Sequence, residues 1–233
     1  MSDNDLNLPT APGVEKRRGC KARQYKPSDR EAIRRICCET GFMGKPVDPL
    51  YSDRNAFADF FTGYYTDFEP EYCIVAESDE GEVVGYLITA TDFKRYPRRQ
   101  AWVVLRNIPS VIWKMVAGRY GKSDFTFLGW LLRKAGKETP DAPKNAAHFH
   151  VNILPGWRGE AGRPMLILFL RSIPKWGIGL MYGQMQVYGS RRAEKLFARF
   201  GFHIYDKRTV TKFERFGVTG VEVATLVRDF STD

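Results

Sequence analysis

The sequence predicts an α/β (α+β) protein with a central sheet of about seven strands flanked by helices. Three observations carry that prediction. Short strand-like runs alternate with amphipathic helical runs in the order β-α-α-β-β, then β-loop-α-β-α-β-β. Turn and stop residues separate them, as in the hairpin connection Ser78-Asp79-Glu80-Gly81-Glu82. Between the two halves lies a stretch of different composition, residues 92–145, which reads as an insertion.

Each element has its own signal. Cys20 to Tyr25 reads as a first strand, and Lys26-Pro27-Ser28 turns the chain. Ser28 and Glu31 have the spacing of a capping box, followed by Ile33, Ile36 and Cys37 at helical spacing and a stop at Gly41. A second helix is expected from Ser52, with Phe57, Phe60 and Phe61 on one face. Tyr72 to Glu77 and Val83 to Thr91 are the hairpin strands. After the insertion, Ala146 to Leu154 is a strand and Trp157 to Pro164 a loop. Met165 to Ile173 is a helix, with Pro164 in its first turn and Pro174 at its end. Leu180 to Val187 is a strand. Ser190 to Phe200 is a helix stopped by Gly201, and Phe202 to Phe213 pairs with Gly220 to Phe230.

The 233-residue chain thus reads as a polar, disordered tail over 1–19 and a single domain over 20–233. The tail has no apolar core of the signal-peptide kind, and no apolar run reaches the ~18 residues that would span a bilayer. Cys20, Cys37, Cys38 and Cys73 show no CxxC spacing, so no metal is expected. These features place the protein in the cytoplasm.

The net charge of +9 is unevenly placed. Residues 92–145 hold twelve Lys/Arg (94, 95, 98, 99, 106, 114, 119, 122, 133, 134, 137, 144) and four acids (92, 124, 138, 141), so 12 − 4 = +8. Within it Trp102, Leu105, Ile108, Ile112, Trp113 and Val116 share one helical face, and Pro109 and Gly118 are expected to interrupt any long helix. Arg98, Arg99, Arg106, Lys114 and Arg119 surround that face. Two readings stand: a helical lid over the sheet, or a basic amphipathic segment on an anionic membrane surface or acidic partner. Nucleic acid is not expected, because no recognition motif accompanies the charge. Monomer and homodimer both remain open.

The segment Leu154-Pro155-Gly156-Trp157-Arg158-Gly159-Glu160-Ala161-Gly162-Arg163 joins a strand to a helix. Small residues let backbone N–H groups converge, the helix presents its positive end, and Arg158 and Arg163 add charge, so a diphosphate is the natural occupant. With that loop, the element order resembles the GNAT superfamily of N-acetyltransferases, whose signature is R/Q-x-x-G-x-G/A. Arg158-Gly159-Glu160-Ala161-Gly162-Arg163 fills its place imperfectly, with Ala161 and Arg163 at glycine or small-residue positions. His148 to Pro155 is similar to the family's fourth strand. Ser190 to Phe202 is similar to its fourth helix, normally N-x-x-A-x-x-x-Y-x-x-x-G-F. The likeness covers about 20–91 and 146–230.

The resemblance implies a mixed, mostly antiparallel sheet and acetyl transfer from acetyl-CoA to a primary amine of a small molecule or protein, with no metal. It implies that the fourth strand splays from the fifth and offers Val151, Asn152 and Ile153 to the pantetheine arm. It assigns Arg158, Gly159, Glu160, Ala161, Gly162 and Arg163 to the pyrophosphate, with Ser190 and Phe197 also beside the cofactor. Period-two alternation puts His148, His150 and Asn152 on one strand face and Phe149, Val151 and Ile153 on the other. An amine of pKa about 10.4 must lose a proton to react, so His150 is the first candidate base and His148 the second. Phe197 stands where the family's proton-donating Tyr is frequent, and Tyr188 or Tyr205 is the candidate substitute. The alternative is a catalytically weak or inactive CoA-binding module. The acceptor pocket is expected from Phe42 to Tyr65, Tyr205 to Phe216 and the insertion, with Phe60, Phe61, Tyr64 and Tyr65 hinting at a hydrophobic or planar acceptor.

Overall fold

The computed structural model describes residues 19–187 and 197–231. Seven strands form one sheet in the order β1-β2-β3-β4-β5-β7-β6: β1 Cys20–Gln24, β2 Cys73–Ser78, β3 Val83–Ala90, β4 Ala147–Ile153, β5 Leu180–Val187, β6 His203–Thr209 and β7 Glu222–Asp229. Every neighbouring pair is antiparallel except β4 and β5. The expected sheet is therefore found, strand for strand.

The two sheet faces have separate cores. Alternate residues of β2 and β3, among them Cys73, Val75, Tyr86 and Ile88, point toward α1 (Arg30–Thr40), α2 (Arg54–Ala58) and α3 (Tyr64–Phe68). Ile74, Ala76, Val84 and Leu87 point toward α7 (Arg158–Trp176). Cys37 and Cys38 are buried in the first core as ordinary packing residues.

The first two helix starts differ in detail from the sequence expectation. Asp29, not Ser28 with Glu31, turns the chain into α1: its carboxylate accepts from the Lys26 N–H at 2.8 Å and pairs with Arg23 at 2.7 Å. A carboxylate already held by an arginine is a stronger acceptor than a free hydroxyl. The second helix starts after Asp53, which accepts from the Ala56 N–H, and passes through a π turn (Asp59–Gly63) before α3. That turn rotates Tyr64 and Tyr65 inward, both about 1% exposed, and leaves Phe60 and Phe61 only half-buried.

Three prolines do not act as breakers. The insertion is α4 (Tyr96–Val116), α5 (Lys122–Arg133) and α6 (Ala135–Glu138), and α4 runs unbroken through Pro109. The carbonyl four residues earlier, on Leu105, loses its partner on an exposed side of the helix, where water can replace it. Gly118 (φ 66°) does follow α4 and ends it. In α7 both Pro164 and Pro174 lie inside the helix, which begins at Arg158 and stops at left-handed Gly177. The buried spacing Ala161, Met165, Phe169, Ile173 starts earlier than Met165, and burial of that stripe outweighs the local proline penalty. The expected loop is thus a single 3-10 turn (Pro155–Trp157) and the first turns of α7. Gly201 (φ 78°) supplies the left-handed stop read from the sequence. Among the described residues, no helix is long and apolar enough to cross a membrane.

Candidate active site

The pairing of β4 with β5 is short. Only Ala147↔Met181, His148↔Tyr182 and Phe149↔Gly183 are in register, after which the strands part. At the last of these positions the Phe149 ring lies over Gly183 so closely that a Cβ there would come within 2.6 Å of it. Beyond the fork, β4 stays paired with β3 and β5 with β7.

The β4 edge facing the fork can be read from the ladder. The Leu154 N–H donates to the Val84 carbonyl at 2.9 Å, on the β3 side. Main-chain groups alternate sides along an antiparallel strand, so Asn152 also bonds toward β3, whereas Val151 and Ile153 turn theirs toward the gap. This corrects the expectation for Asn152. Its amide is committed to β3, and its side chain donates to the Tyr86 hydroxyl at 2.7 Å.

The gap leads to the start of α7. No side chain caps that helix, and Arg158, Gly159 and Glu160 are its first three residues, whose N–H groups have no partner within the helix. Arg158, Gly159 and Arg163 are exposed, and a Cβ on Gly159 would meet nothing within 4 Å. Free donors at the positive end of a long helix, with two arginines beside them, fit a diphosphate. Ala161 is different. It is fully buried against the second core and has no room for a ligand. Gly162 is half-buried, and a Cβ there would lie 3.5 Å from Ile153.

The other face of β4 carries the titratable groups. Phe149 points into the α7-side core, with Val151 and Ile153 packed against its margin, as alternation requires. His148 and His150 share the opposite face, with ring centroids 5.5 Å apart. His148 is enclosed: Tyr182 stacks on it at 5.3 Å, Tyr96 meets it edge-on at 4.5 Å, and its Nε2 is hydrogen-bonded to the Tyr65 hydroxyl. Burial, and then the neighbouring His150, hold its pKa well below the ordinary range. With Nε2 engaged, Tyr182 stacked on the ring and the side chain buried, His148 is built to position its neighbours rather than to exchange protons with a ligand. His150 meets Tyr65 edge-on at 5.6 Å, retains some solvent exposure, and has no side-chain hydrogen bond among the described residues. Burial pushes its pKa down to about 4. Both imidazoles are therefore neutral at pH 7. Tyr65 is held well above the usual phenol range by burial, and Tyr96 is pushed up to about 12 by the same cause, so both phenols stay protonated and can donate.

The remaining candidates fall elsewhere. Phe197 is buried on the α7 side of the sheet, against Phe149 at 5.8 Å and Phe202 at 5.5 Å, away from the histidine face. Tyr205 is exposed on edge strand β6, with β7 and β5 between it and β4. Tyr188 and Ser190 lie outside the described residues. Sequence reasoning missed Tyr96 and Tyr182. Tyr182 meets His148 through the parallel register of β4 and β5, which the sequence does not contain, and Tyr96 comes from the insertion; neither carried a signal.

A seven-stranded mixed sheet, forked between β4 and β5 with an uncapped helix at the fork, is the fold of the GNAT acetyltransferases. No protein-family model and no curated protein matches the sequence. Solved structures match its shape over most of the chain. SsHAT has a TM-score of 0.60 at 29% identity, covering 91% of this chain and 98% of its own. A GNAT superfamily phosphinothricin acetyltransferase from Sinorhizobium meliloti, solved with acetyl-CoA, has a TM-score of 0.53 at 16% identity, covering 90% and 88%. A ribosomal-protein-alanine N-acetyltransferase from Brucella melitensis has 0.51 at 14%, covering 90% and 99%.

Proposed function

We propose that the protein transfers an acetyl group from acetyl-CoA to a primary amine, of a small molecule or a protein, by direct attack. The observation that carries this reading is the continuity of free main-chain donors. They run from Val151 and Ile153 along the open edge of β4 to Arg158, Gly159 and Glu160 at the start of α7. That path suits a cofactor with an amide-bearing arm and a diphosphate. Bound acetyl-CoA would supply an acyl group on a sulfur leaving group.

The residues of the chain then have distinct tasks. The Val151 and Ile153 main-chain groups align the arm, and an N–H of this edge stabilises the charge that builds on the acyl oxygen. The acceptor comes from the opposite face, where His150 stands. An imidazole with a pKa near 4 is a weak base at rest. It takes a proton best from a nitrogen that has already attacked, whose N–H has become acidic. His148, fixed by Tyr65, Tyr96 and Tyr182, holds the wall against which His150 rests. The amine attacks in its neutral form, its ammonium proton first lost to solvent. As the new C–N bond forms, the C–S bond breaks and the sulfur leaves as a thiolate. The proton that His150 has taken from the nitrogen passes on to solvent or to that thiolate.

A second reading is supported by Phe197. Its ring is buried in the α7-side core and bears no proton to give the departing sulfur, which fits a module that binds coenzyme A without turnover. One experiment separates the two: calorimetric titration with acetyl-CoA, followed by thiol release across a panel of amines. Binding with amine-dependent thiol release supports transfer. Binding without release leaves the binding module, and no binding at millimolar cofactor overturns both.

A further inference from the structure

Helix α4 is amphipathic in the reverse sense. The residues it turns toward the domain are Tyr96, Gln100, Val103, Asn107, Val111 and Lys114, at spacings of four, three, four, four and three. Much of that contact is polar. Gln100 donates to the Phe60 carbonyl at 2.8 Å, Arg106 pairs with Asp67 at 2.9 Å, and Lys114 pairs with Asp53 at 2.7 Å. Asp53 also accepts from Tyr120, and Asp124 of α5 accepts from the Ser52 N–H, so the insertion is clamped to the domain at both helices. The outward face carries the large apolar side chains: Trp102, Leu105, Ile108, Ile112, Trp113 and Val116 are all exposed, Trp113 by 64% and Val116 by 78%. A soluble helix normally buries such a stripe; here it forms a continuous apolar ridge on the surface.

The charge around the ridge identifies what covers it. Residues 93–123 contain eight Lys/Arg (94, 95, 98, 99, 106, 114, 119, 122) and no Asp or Glu. Arg106 and Lys114 are spent on internal pairs and Arg95 on Asp92. Lys94, Arg98, Arg99, Arg119 and Lys122 have no ion pair among the described residues. Arg95, Arg98 and Arg99 line a groove of about 440 Å³ with Phe68 and Trp102, where the Arg99 guanidinium sits 4.7 Å from the Phe68 ring centre. Indole and guanidinium groups bordering an apolar ridge match the headgroup layer of a bilayer.

We infer that α4 is a docking face for an anionic lipid bilayer, its Trp102–Val116 ridge lying in the acyl boundary and the unpaired arginines and lysines beside it among the phosphates. Two other occupants match less of this surface. A second copy of the chain would set the same cations against their own images. A nucleic acid would meet the charge and leave Ile, Leu and Val in water. The inference does not rest on acetyl transfer, since it uses none of the residues at the fork.

The test is co-sedimentation of the full chain with phosphatidylcholine vesicles, with and without phosphatidylserine, at low and high salt. Binding is expected to the phosphatidylserine vesicles, accompanied by a blue shift of tryptophan emission, and to weaken in salt. At about 1 kcal/mol per surface cation, replacing Arg98, Arg99, Arg119 and Lys122 with glutamine lowers the partition coefficient by roughly several hundred-fold. The double variant Ile112→Glu/Trp113→Glu loses binding while its circular dichroism is unchanged, because both side chains are exposed. Equal binding by that variant, or no preference for phosphatidylserine, overturns the inference. So does a dimer in analytical ultracentrifugation that the same substitutions dissolve, or tighter binding to duplex DNA than to vesicles.

Discussion

Replacing His150 with glutamine should flatten part of the acid sensitivity of this protein, and the size of the effect follows from the site. His150 has an ordinary imidazole value of 6.5 in the unfolded chain and about 4 in the folded one, because burial disfavours its charged form. Between these values the unfolded state binds the proton and the folded state does not. Stability therefore rises with pH across that window: the full contribution is present above pH 6.5 and is lost as pH falls toward 4. At about 1.36 kcal/mol per pH unit, the fall from pH 6.5 to pH 5 amounts to about 2 kcal/mol. With a urea slope of about 2 kcal/mol/M, that is about 1 M in midpoint. Wild type and His150→Gln would be unfolded in urea at pH 7.5 and pH 5, leaving His148 common to both. The gap between the two proteins should change by about 2 kcal/mol in favour of the variant as pH drops. Parallel curves would refute the reasoning, since they would mean that His150 is as well solvated in the fold as in the unfolded chain.

Three further outcomes are expected. Gly159→Asp puts a carboxylate in the first turn of α7, where it stabilises the helix by about 0.3–1 kcal/mol yet opposes an anion; calorimetry should show coenzyme A affinity falling about tenfold or more while the melting temperature holds or rises. Tyr65→Phe leaves the buried His148 Nε2 without its partner and should cost about 1–3 kcal/mol in urea unfolding; an unchanged midpoint would show that the bond contributes nothing net. Gly183→Ala forces a methyl against the Phe149 ring and should cost about 1–3 kcal/mol, largely recovered by Phe149→Leu in the same chain; a neutral single variant would mean that the fork is not closely packed.

Much of this fold was legible because local signals and tertiary demands agree. The hairpin of β2 and β3, the alternation that sends His148 and His150 one way and Phe149 the other, and the left-handed stop at Gly201 all follow from short-range rules. The readings that failed involve residues whose local preference is overruled from a distance. Pro164 reads as the first turn of a helix, yet Ala161 and Met165 bury a stripe that carries the helix back to Arg158. Ser28 and Glu31 have the spacing of a cap, but Arg23 on β1 holds Asp29 ready for the same task.

The sequence by itself determined the strand count, the two-faced character of β4 and the cationic, apolar nature of residues 92–145, because periodicity and composition are properties of the chain alone. Only the tertiary structure decided that β4 and β5 separate after Phe149 and Gly183, that Tyr65, Tyr96 and Tyr182 enclose His148, and that α4 turns its apolar ridge outward. Which face of a helix is buried depends on the polar partners that Phe60, Asp67 and Asp53 offer from other elements. No pattern within the helix itself contains them.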